Sequence, residues 1–187
     1  MIDIGDTTHP KGVAINGRGD STPATFVWAA LDTTIRVVDS LSGAAVGVAT
    51  GTGRLVARVG TLTSNPVVVN ILGPLDSIKA VGSTLDTVVV STSPDSLSDS
   101  LVVQAFSGAT GSTHRKIALT IDFPPGGTGV TLVKSDTVVT VPPAGTAAFF
   151  VRLTGVRPDS AVVSATATYR GVPVIGSPTR FVVVFVP

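Results

Sequence analysis

Residues that could perform chemistry are few in this sequence and lie far apart. His9 and His114 are the side chains that titrate near neutral pH, and each has loop-forming neighbours. The sequence contains no Glu, so paired-carboxylate hydrolysis would need two Asp, and it contains no Gly-x-Ser-x-Gly nucleophile motif. We therefore predict that the chain is not an enzyme and has no catalytic residues.

Oxygen ligands that suit Ca²⁺ occur at Asp76 and in the segment from Asp95 to Asp99. Neither place has the Asp-x-Asp-x-Asp-Gly spacing of a calcium loop, and Asp and Ser also end strands by bonding to the backbone. The absence of Cys excludes disulfides and thiolate metal sites. We predict no bound metal and no cofactor, and Asp76, Asp95 and Asp99 are the candidate ligands for a calcium ion.

The segment Gly17–Ser21 contains the tripeptide Arg18-Gly19-Asp20. An exposed turn with this sequence presents a cation and a carboxylate at its opposite ends, which integrin-type receptors recognise in some extracellular proteins. Gly, Asn and Asp also occur together wherever the chain makes a solvated turn. The sequence favours the solvated turn and leaves recognition as the alternative.

The elements that must position these residues are β-strands. The sequence has 32 Val and 25 Thr but only four Lys, one Gln, one Met and no Glu, so it is rich in strand formers and poor in helix formers. Strand-like segments of four to six residues alternate with turns rich in Gly, Pro, Asn and Asp, as in sandwiches and barrels. The composition predicts an all-β protein.

Charge and hydropathy exclude two classes of partner. The net charge is +1, without a basic patch that would bind nucleic acid. No apolar run approaches the ~18 residues of a membrane helix, so we predict no membrane insertion. Met1 is not followed by the basic and apolar regions of a signal peptide, so we expect that the protein is not exported by the Sec route or that the sequence is a segment cut from a longer protein.

The first part of the chain carries motifs in a characteristic order. These are Ile4-Gly-Asp-Thr7, Phe26-Val-Trp28, Asp32–Asp39, Val46-Gly-Val-Ala49 and Gly51–Ala57. Over residues 4–72 this order resembles the bacterial immunoglobulin-like domain, group 2. The resemblance implies a β-sandwich over residues 1–72 with Trp28 in its core. It also implies that the first strand is short or missing, because so few residues precede the Gly-Asp-Thr motif.

The second part follows a linker at residues 73–76. Residues 77–187 contain eight strand candidates, enough for one further sandwich. Their Pro-Pro-Ala-Gly turn at 142–145 and the segment 164–171 are similar, more loosely, to Ig-like repeats of large bacterial surface proteins. We therefore predict two tandem immunoglobulin-like β-sandwich domains.

The chain ends in six consecutive apolar residues, Phe181–Val186. A strand with one solvated face alternates apolar and polar residues, and this strand does not, so both of its faces should be buried. We predict an interaction at Phe181, Val183 and Phe185, with the first domain or with another subunit as the partner. The alternative is that one sandwich buries both faces within the chain.

The resemblance implies a structural or adhesion module of a bacterial cell-surface protein or extracellular fibre. Its partners would be proteins, including further copies in a homo-oligomer or filament. A decoration or fibre protein of a phage virion is the alternative, and a carbohydrate-binding module is the third hypothesis. A carbohydrate platform would need exposed rings, whereas Trp28 is expected in the core, and at most one ring of the Phe149-Phe150 pair can face the core.

Overall fold

A computed structural model describes residues 1–90, 96–133 and 135–187, and in these ranges the chain is mostly β-strand. Two compact units are present, Met1–Pro74 and Leu75–Pro187. Leu75 packs in the core of the second unit, and the Asp76 N–H donates to the carbonyl of Phe106. These two residues of the predicted linker therefore belong to the second unit. No helix in the described ranges is long and apolar enough to cross a membrane.

The first unit consists of short strands in two main sheets. Its strands are β1 Ile2–Asp3, β2 Thr7–Thr8, β3 Ala14–Ile15, β4 Ser21–Thr22, β5 Val27–Ala30, β6 Ile35–Asp39, β7 Ala44–Gly47, β8 Gly51–Val59, β9 Leu62–Thr63 and β10 Val67–Leu72. One sheet has the order β1-β10-β8-β5, with β9 beside β8, and the other has the order β2-β7-β6. β1 is parallel to β10 over two residues, and β3 and β4 form a separate hairpin.

The core of the first unit surrounds Trp28, which is 5% exposed, as predicted. Leu55 and Ala57 of β8 face it because alternate residues of a strand point to the same side. The backbone of Gly43 lies against the indole ring and has a φ angle of +75°. A Cβ atom at this position would lie 2.8 Å from Trp28 Nε1. The position is therefore restricted to glycine both by the ring and by the left-handed backbone.

The second unit is larger and also has two main sheets. Its strands are β11 Ser77–Val81, β12 Leu85–Val89, β13 Leu101–Ser107, β14 Thr110–Gly111, β15 Lys116–Phe123, β16 Val130–Leu132, β17 Thr137–Val139, β18 Thr146–Phe149, β19 Val151–Leu153, β20 Ser160–Thr166, β21 Thr168–Tyr169, β22 Val172–Pro173 and β23 Thr179–Val186. One sheet has the order β12-β23-β20-β15-β17, and the other joins β11, β13 and β18, with β14 beside β13. A 3₁₀ turn occurs at Pro125–Gly127.

Both units have the strand arrangement of an immunoglobulin-like sandwich. In each, the last strand pairs antiparallel with an earlier long strand, β10 with β8 and β23 with β20. It also pairs parallel with a strand near the unit's beginning, β10 with β1 and β23 with β12. The other sheet pairs an early strand with a later one, β2 with β7 and β13 with β18. This division of strands between two sheets is that of the immunoglobulin fold. The protein is all-β, with two immunoglobulin-like sandwiches in tandem.

The core of the second unit is built from alternate residues of its long strands. β13 contributes Leu101, Val103 and Ala105, which are buried while their neighbours Val102 and Gln104 are half-buried. The rings of Phe149 and Phe181 meet edge to face with 5.1 Å between centroids. Such a pair adds about 0.5–1.5 kcal/mol beyond the burial of its area. Of the two adjacent residues Phe149 and Phe150, the first is buried and the second is half-buried. At most one of these two rings therefore lies in the core, as expected.

Candidate functional site

The residues that could act as acid or base catalysts are dispersed. His9 and His114 are exposed and lie in different units, and the ring Nδ1 of His114 is 3.0 Å from the Thr113 hydroxyl beside it. Within the described ranges, His, Asp and Glu side chains form no group of three that could hold a metal ion.

Two of the residues considered as calcium ligands have hydrogen bonds in the structure. Asp76 is exposed, and its Oδ2 accepts a hydrogen bond from the Gly108 N–H. The N–H of Asp99 donates to Oδ2 of Asp86 at 2.8 Å, which ties the segment before β13 to β12. Asp95 lies outside the described residues. The Asp76 carboxylate thus binds the backbone at Gly108, and the Asp86 carboxylate binds the backbone of Asp99. The absence of a metal stays a prediction.

Arg18, Gly19 and Asp20 lie at the tip of the β3–β4 hairpin, and all three are exposed. The side chain of Asn16 organises this loop, because its Oδ1 accepts from the N–H groups of Arg18 at 2.9 Å and Asp20 at 3.0 Å. Gly19 has φ +90°, a conformation that favours glycine. The tripeptide is therefore displayed on a surface turn, and receptor recognition stays a prediction.

A charged pair in the first unit has a structural role. Arg54 donates from Nη2 to Oδ1 of Asp32 at 2.7 Å and from Nε to Oδ2 at 2.9 Å, a bidentate arrangement. The Arg54 backbone N–H also donates to Asp32 Oδ2 at 2.8 Å. The side-chain hydrogen bonds from Arg54 lower the pKa of Asp32 below its ordinary 3.8, and this carboxylate raises the pKa of Arg54. These hydrogen bonds hold the turn that follows β5 against β8.

The last strand, β23, does not present Phe181, Val183 and Phe185 to a partner, contrary to the prediction from the sequence. Phe181, Val183 and Phe185 are buried and belong to the core of the second unit itself. They face β13 and β18 across the sandwich core, so they are not accessible to a partner while the unit is folded. The outward residues are the alternate ones, Val182, Val184 and Val186, and these are half-buried.

The outward residues of β23 have apolar neighbours on three other strands. The register places Leu85 of β12 beside Val182, Val182 beside Val162 of β20, and Val162 beside Phe123 of β15. Because directly paired residues point to the same side of a sheet, Leu85, Val182 and Val162 form one row across three strands. Phe123 of the fourth strand is next to this row, at a β-bulge where the register shifts after Ile121. Leu85 is 57% exposed and Phe123 is 47% exposed.

Further along the strands the same surface continues. Val186 pairs with Val89, and Val184 lies between the two ends with Thr87 and Ser160 at its sides. We call this surface the outer patch, and its members are Leu85, Val89, Phe123, Val162, Val182, Val184 and Val186. It contains no charged side chain. When a sheet has one face in solvent, that face is ordinarily polar.

The outer patch spans four strands, and along β23 it extends from Val182 to Val186. With about 4.8 Å between strands and about 3.3 Å per residue, it measures about 14 Å by 13 Å between Cα positions. Leu85, Val89 and Phe123 are exposed, the other members are half-buried, and Thr87 and Ser160 lie beside Val184 in the middle. Because its members are apolar, it suits contact with another protein surface.

Sequence reasoning missed Leu85, Phe123 and Val162. They are distant in the sequence from β23, and the register that joins them is a property of the folded sheet. A partial signal exists in β12, where Leu85, Thr87 and Val89 alternate with Asp86 and Val88. The alternation identifies two faces of the strand, but the sequence does not show that Leu85 and Val89 share a surface with β23.

No protein-family model matches the chain, and no curated protein sequence matches it. Solved structures similar to it include the Yersinia pseudotuberculosis adhesin InvE, with 16% identity and a TM-score of 0.49 over 98% of this chain and 56% of that chain. The D00-D0 domain of Intimin has 14% identity and a TM-score of 0.41 over 100% of this chain and 95% of that chain. Domains 4 and 5 of the S-layer protein SbsC have 15% identity and a TM-score of 0.39 over 94% and 80%. The chain spans about half the length of the InvE chain and 24% of an SbsC chain with domains 4–9.

Proposed function

We propose that the chain is a non-enzymatic structural or adhesion segment of a bacterial cell-surface protein or extracellular fibre. In this proposal the first unit is a group 2 bacterial immunoglobulin-like domain, which the motif order over residues 4–72 supports. The two sandwiches act as a spacer that carries protein-binding surfaces. The observation that carries the proposal is the outer patch, an uncharged apolar surface on a sheet face that would otherwise be polar.

The dispersed titratable groups support the same proposal. In the described ranges, His9 and His114 are in separate units, and the carboxylates with resolved partners bind backbone N–H groups, hydroxyl groups or arginines. A carbohydrate platform is not supported by Trp28 or Phe149, because both rings are in the cores. Contact between protein surfaces needs none of these groups.

The location of the protein on the cells that produce it tests the proposal. Antibodies raised against the purified chain are applied to intact producing cells and to any phage particles from the same culture, with gold labelling for electron microscopy. Label on the surface of intact cells or on extracellular fibres is expected. Label on phage particles alone would favour the virion alternative. Label that requires permeabilised cells would contradict both.

A further inference from the structure

The loop at the tip of the β3–β4 hairpin contains the one Asn-Gly pair of the sequence, Asn16-Gly17, and both residues are exposed. We propose that Asn16 is a site of spontaneous modification, at which the side-chain amide is lost and aspartate or isoaspartate takes its place. The reaction needs water and no enzyme. It adds a negative charge beside the displayed tripeptide Arg18-Gly19-Asp20 and goes beyond the proposed function.

The backbone nitrogen of Gly17 is the attacking group. After it loses its proton to solvent base, it bonds to Cγ of Asn16 and closes a succinimide ring. The bond from Cγ to Nδ2 breaks, and Nδ2 takes up a proton and leaves as ammonia. Water then opens the ring. Its attack at Cγ gives aspartate in the original backbone, and its attack at the backbone carbonyl carbon gives isoaspartate, in which the chain continues through the side chain.

Gly17 offers little obstruction to this attack. It has no side chain to shield its nitrogen, and a Cβ at this position would meet nothing within 4 Å. In the described ranges its N–H donates no hydrogen bond. The nitrogen is therefore available to solvent base and to the neighbouring side chain.

The loop also holds the oxygen that receives charge during the attack. When the nitrogen adds to Cγ, negative charge develops on Oδ1 of Asn16. This oxygen already accepts hydrogen bonds from the N–H groups of Arg18 at 2.9 Å and Asp20 at 3.0 Å. Backbone N–H groups that are aimed at a developing oxyanion lower the energy of the transition state. The folded loop therefore favours the reaction.

The other two asparagines of the sequence lack these features. Asn65 precedes Pro66, whose nitrogen has no proton to lose. Asn70 lies in β10 and precedes Ile71, which is buried and is paired with both β1 and β8. The ring cannot close there without a break in the sheet. We expect Asn65 and Asn70 to remain asparagine.

Conversion changes what the loop presents. Nδ2 of Asn16 donates to Oδ2 of Asp20 at 3.3 Å, whereas a carboxylate at position 16 accepts hydrogen bonds and does not donate them. Two carboxylates this close repel each other, so Asp20 loses a partner and the loop becomes more negative. Isoaspartate also lengthens the backbone between β3 and β4. The charge and the path of the tripeptide loop therefore differ in the modified chain.

Mass spectrometry of the folded full chain, during incubation in mildly alkaline buffer, tests the proposal. The peptide with Asn16 is expected to gain the mass difference between a hydroxyl and an amino group. The conversion should be faster at higher pH, because the Gly17 nitrogen must lose its proton. The peptides with Asn65 and Asn70 are internal controls and should keep their masses. Electron-transfer fragmentation distinguishes isoaspartate from aspartate.

Gly17→Ala is the matched variant. Its Cβ has room in the fold but crowds the nitrogen, so the conversion should slow at least about tenfold. Thermal melting by circular dichroism checks that this variant is folded. The same chain in urea gives the rate at Asn16 without the two N–H groups held at Oδ1, and the folded chain should convert at least as fast.

Three results would overturn the proposal. They are a folded parent that converts more slowly than the unfolded chain or not at all, a Gly17→Ala variant that converts like the parent, and conversion of all three asparagines at one rate. None of them bears on where the antibody label lies, so the proposed function is tested separately.

Discussion

The opposite orientations of Val183 and Val184 can be tested by placing the same charge at both positions. Val183 has no exposed surface and lies in the core of the second unit, whereas Val184 points outward on the same strand. Keeping a lysine with an ordinary pKa of about 10.4 neutral at pH 7 costs about 4.6 kcal/mol. Loss of the buried valine adds about 1.5–3 kcal/mol to the cost of Val183→Lys.

The neighbouring substitution should be much milder. Val184→Lys exchanges a good strand former for a poorer one, and scales of strand propensity span only about 1 kcal/mol. The lysine can extend its charged end into solvent while its methylene groups cover the patch. We therefore expect the two variants to differ by at least about 4 kcal/mol, a large part of the 5–15 kcal/mol typical of a domain.

Urea unfolding followed by far-ultraviolet circular dichroism measures this difference. Trp28 is the single Trp and lies in the first unit, so its fluorescence provides an internal control that should show the same midpoint in both variants. Equal destabilisation by the two substitutions, or greater destabilisation by Val184→Lys, would refute the assignment of the inner and outer faces of β23.

Three further outcomes are expected. Trp28→Ala should destabilise the first unit by about 3–5 kcal/mol in urea unfolding, and a loss below about 1 kcal/mol would contradict its place in the core. Asp32→Asn should melt at a lower temperature than the parent at pH 7. Because the folded pKa of Asp32 is below 3.8, its stabilisation is present above that pH and is lost as the pH falls through the folded pKa, so the melting curves of parent and variant should converge in acid and should not diverge. Addition of a chelator should leave the melting temperature unchanged, and a fall of several degrees that Ca²⁺ restores would show that carboxylates bind an ion.

The sequence was sufficient for the fold class because that depends on composition and local pattern. The excess of Val and Thr with Gly and Pro between short segments predicts strands, and an alternating segment such as Arg54–Val59 shows two different faces. The place of Trp28 in the core came from the resemblance, and its burial confirms it. Phe149 is the last residue of β18 and is buried, whereas Phe150 lies between β18 and β19 and is half-buried.

The sequence was insufficient for the interaction surface because Phe181–Val186 has no alternation. When every residue is apolar, the pattern does not indicate which alternate set faces the core, and a change of one residue exchanges the two faces. The prediction therefore placed the contact at Phe181, Val183 and Phe185, which the structure buries. The outer patch arises from pairing among four strands, and such pairing is determined by the whole sandwich.

The central claim is that protein contact covers the outer patch where the chain functions. Hydroxyl-radical labelling of Leu85 and Phe123 tests it directly, by comparing the dilute purified chain with the chain on intact producing cells or in its native fibre. Ile175, which is also exposed, is the reference. We expect Leu85 and Phe123 to be labelled in the dilute chain and protected in the native setting, with the reference labelled equally in both. Equal labelling of Leu85 and Phe123 in the two samples would contradict the claim.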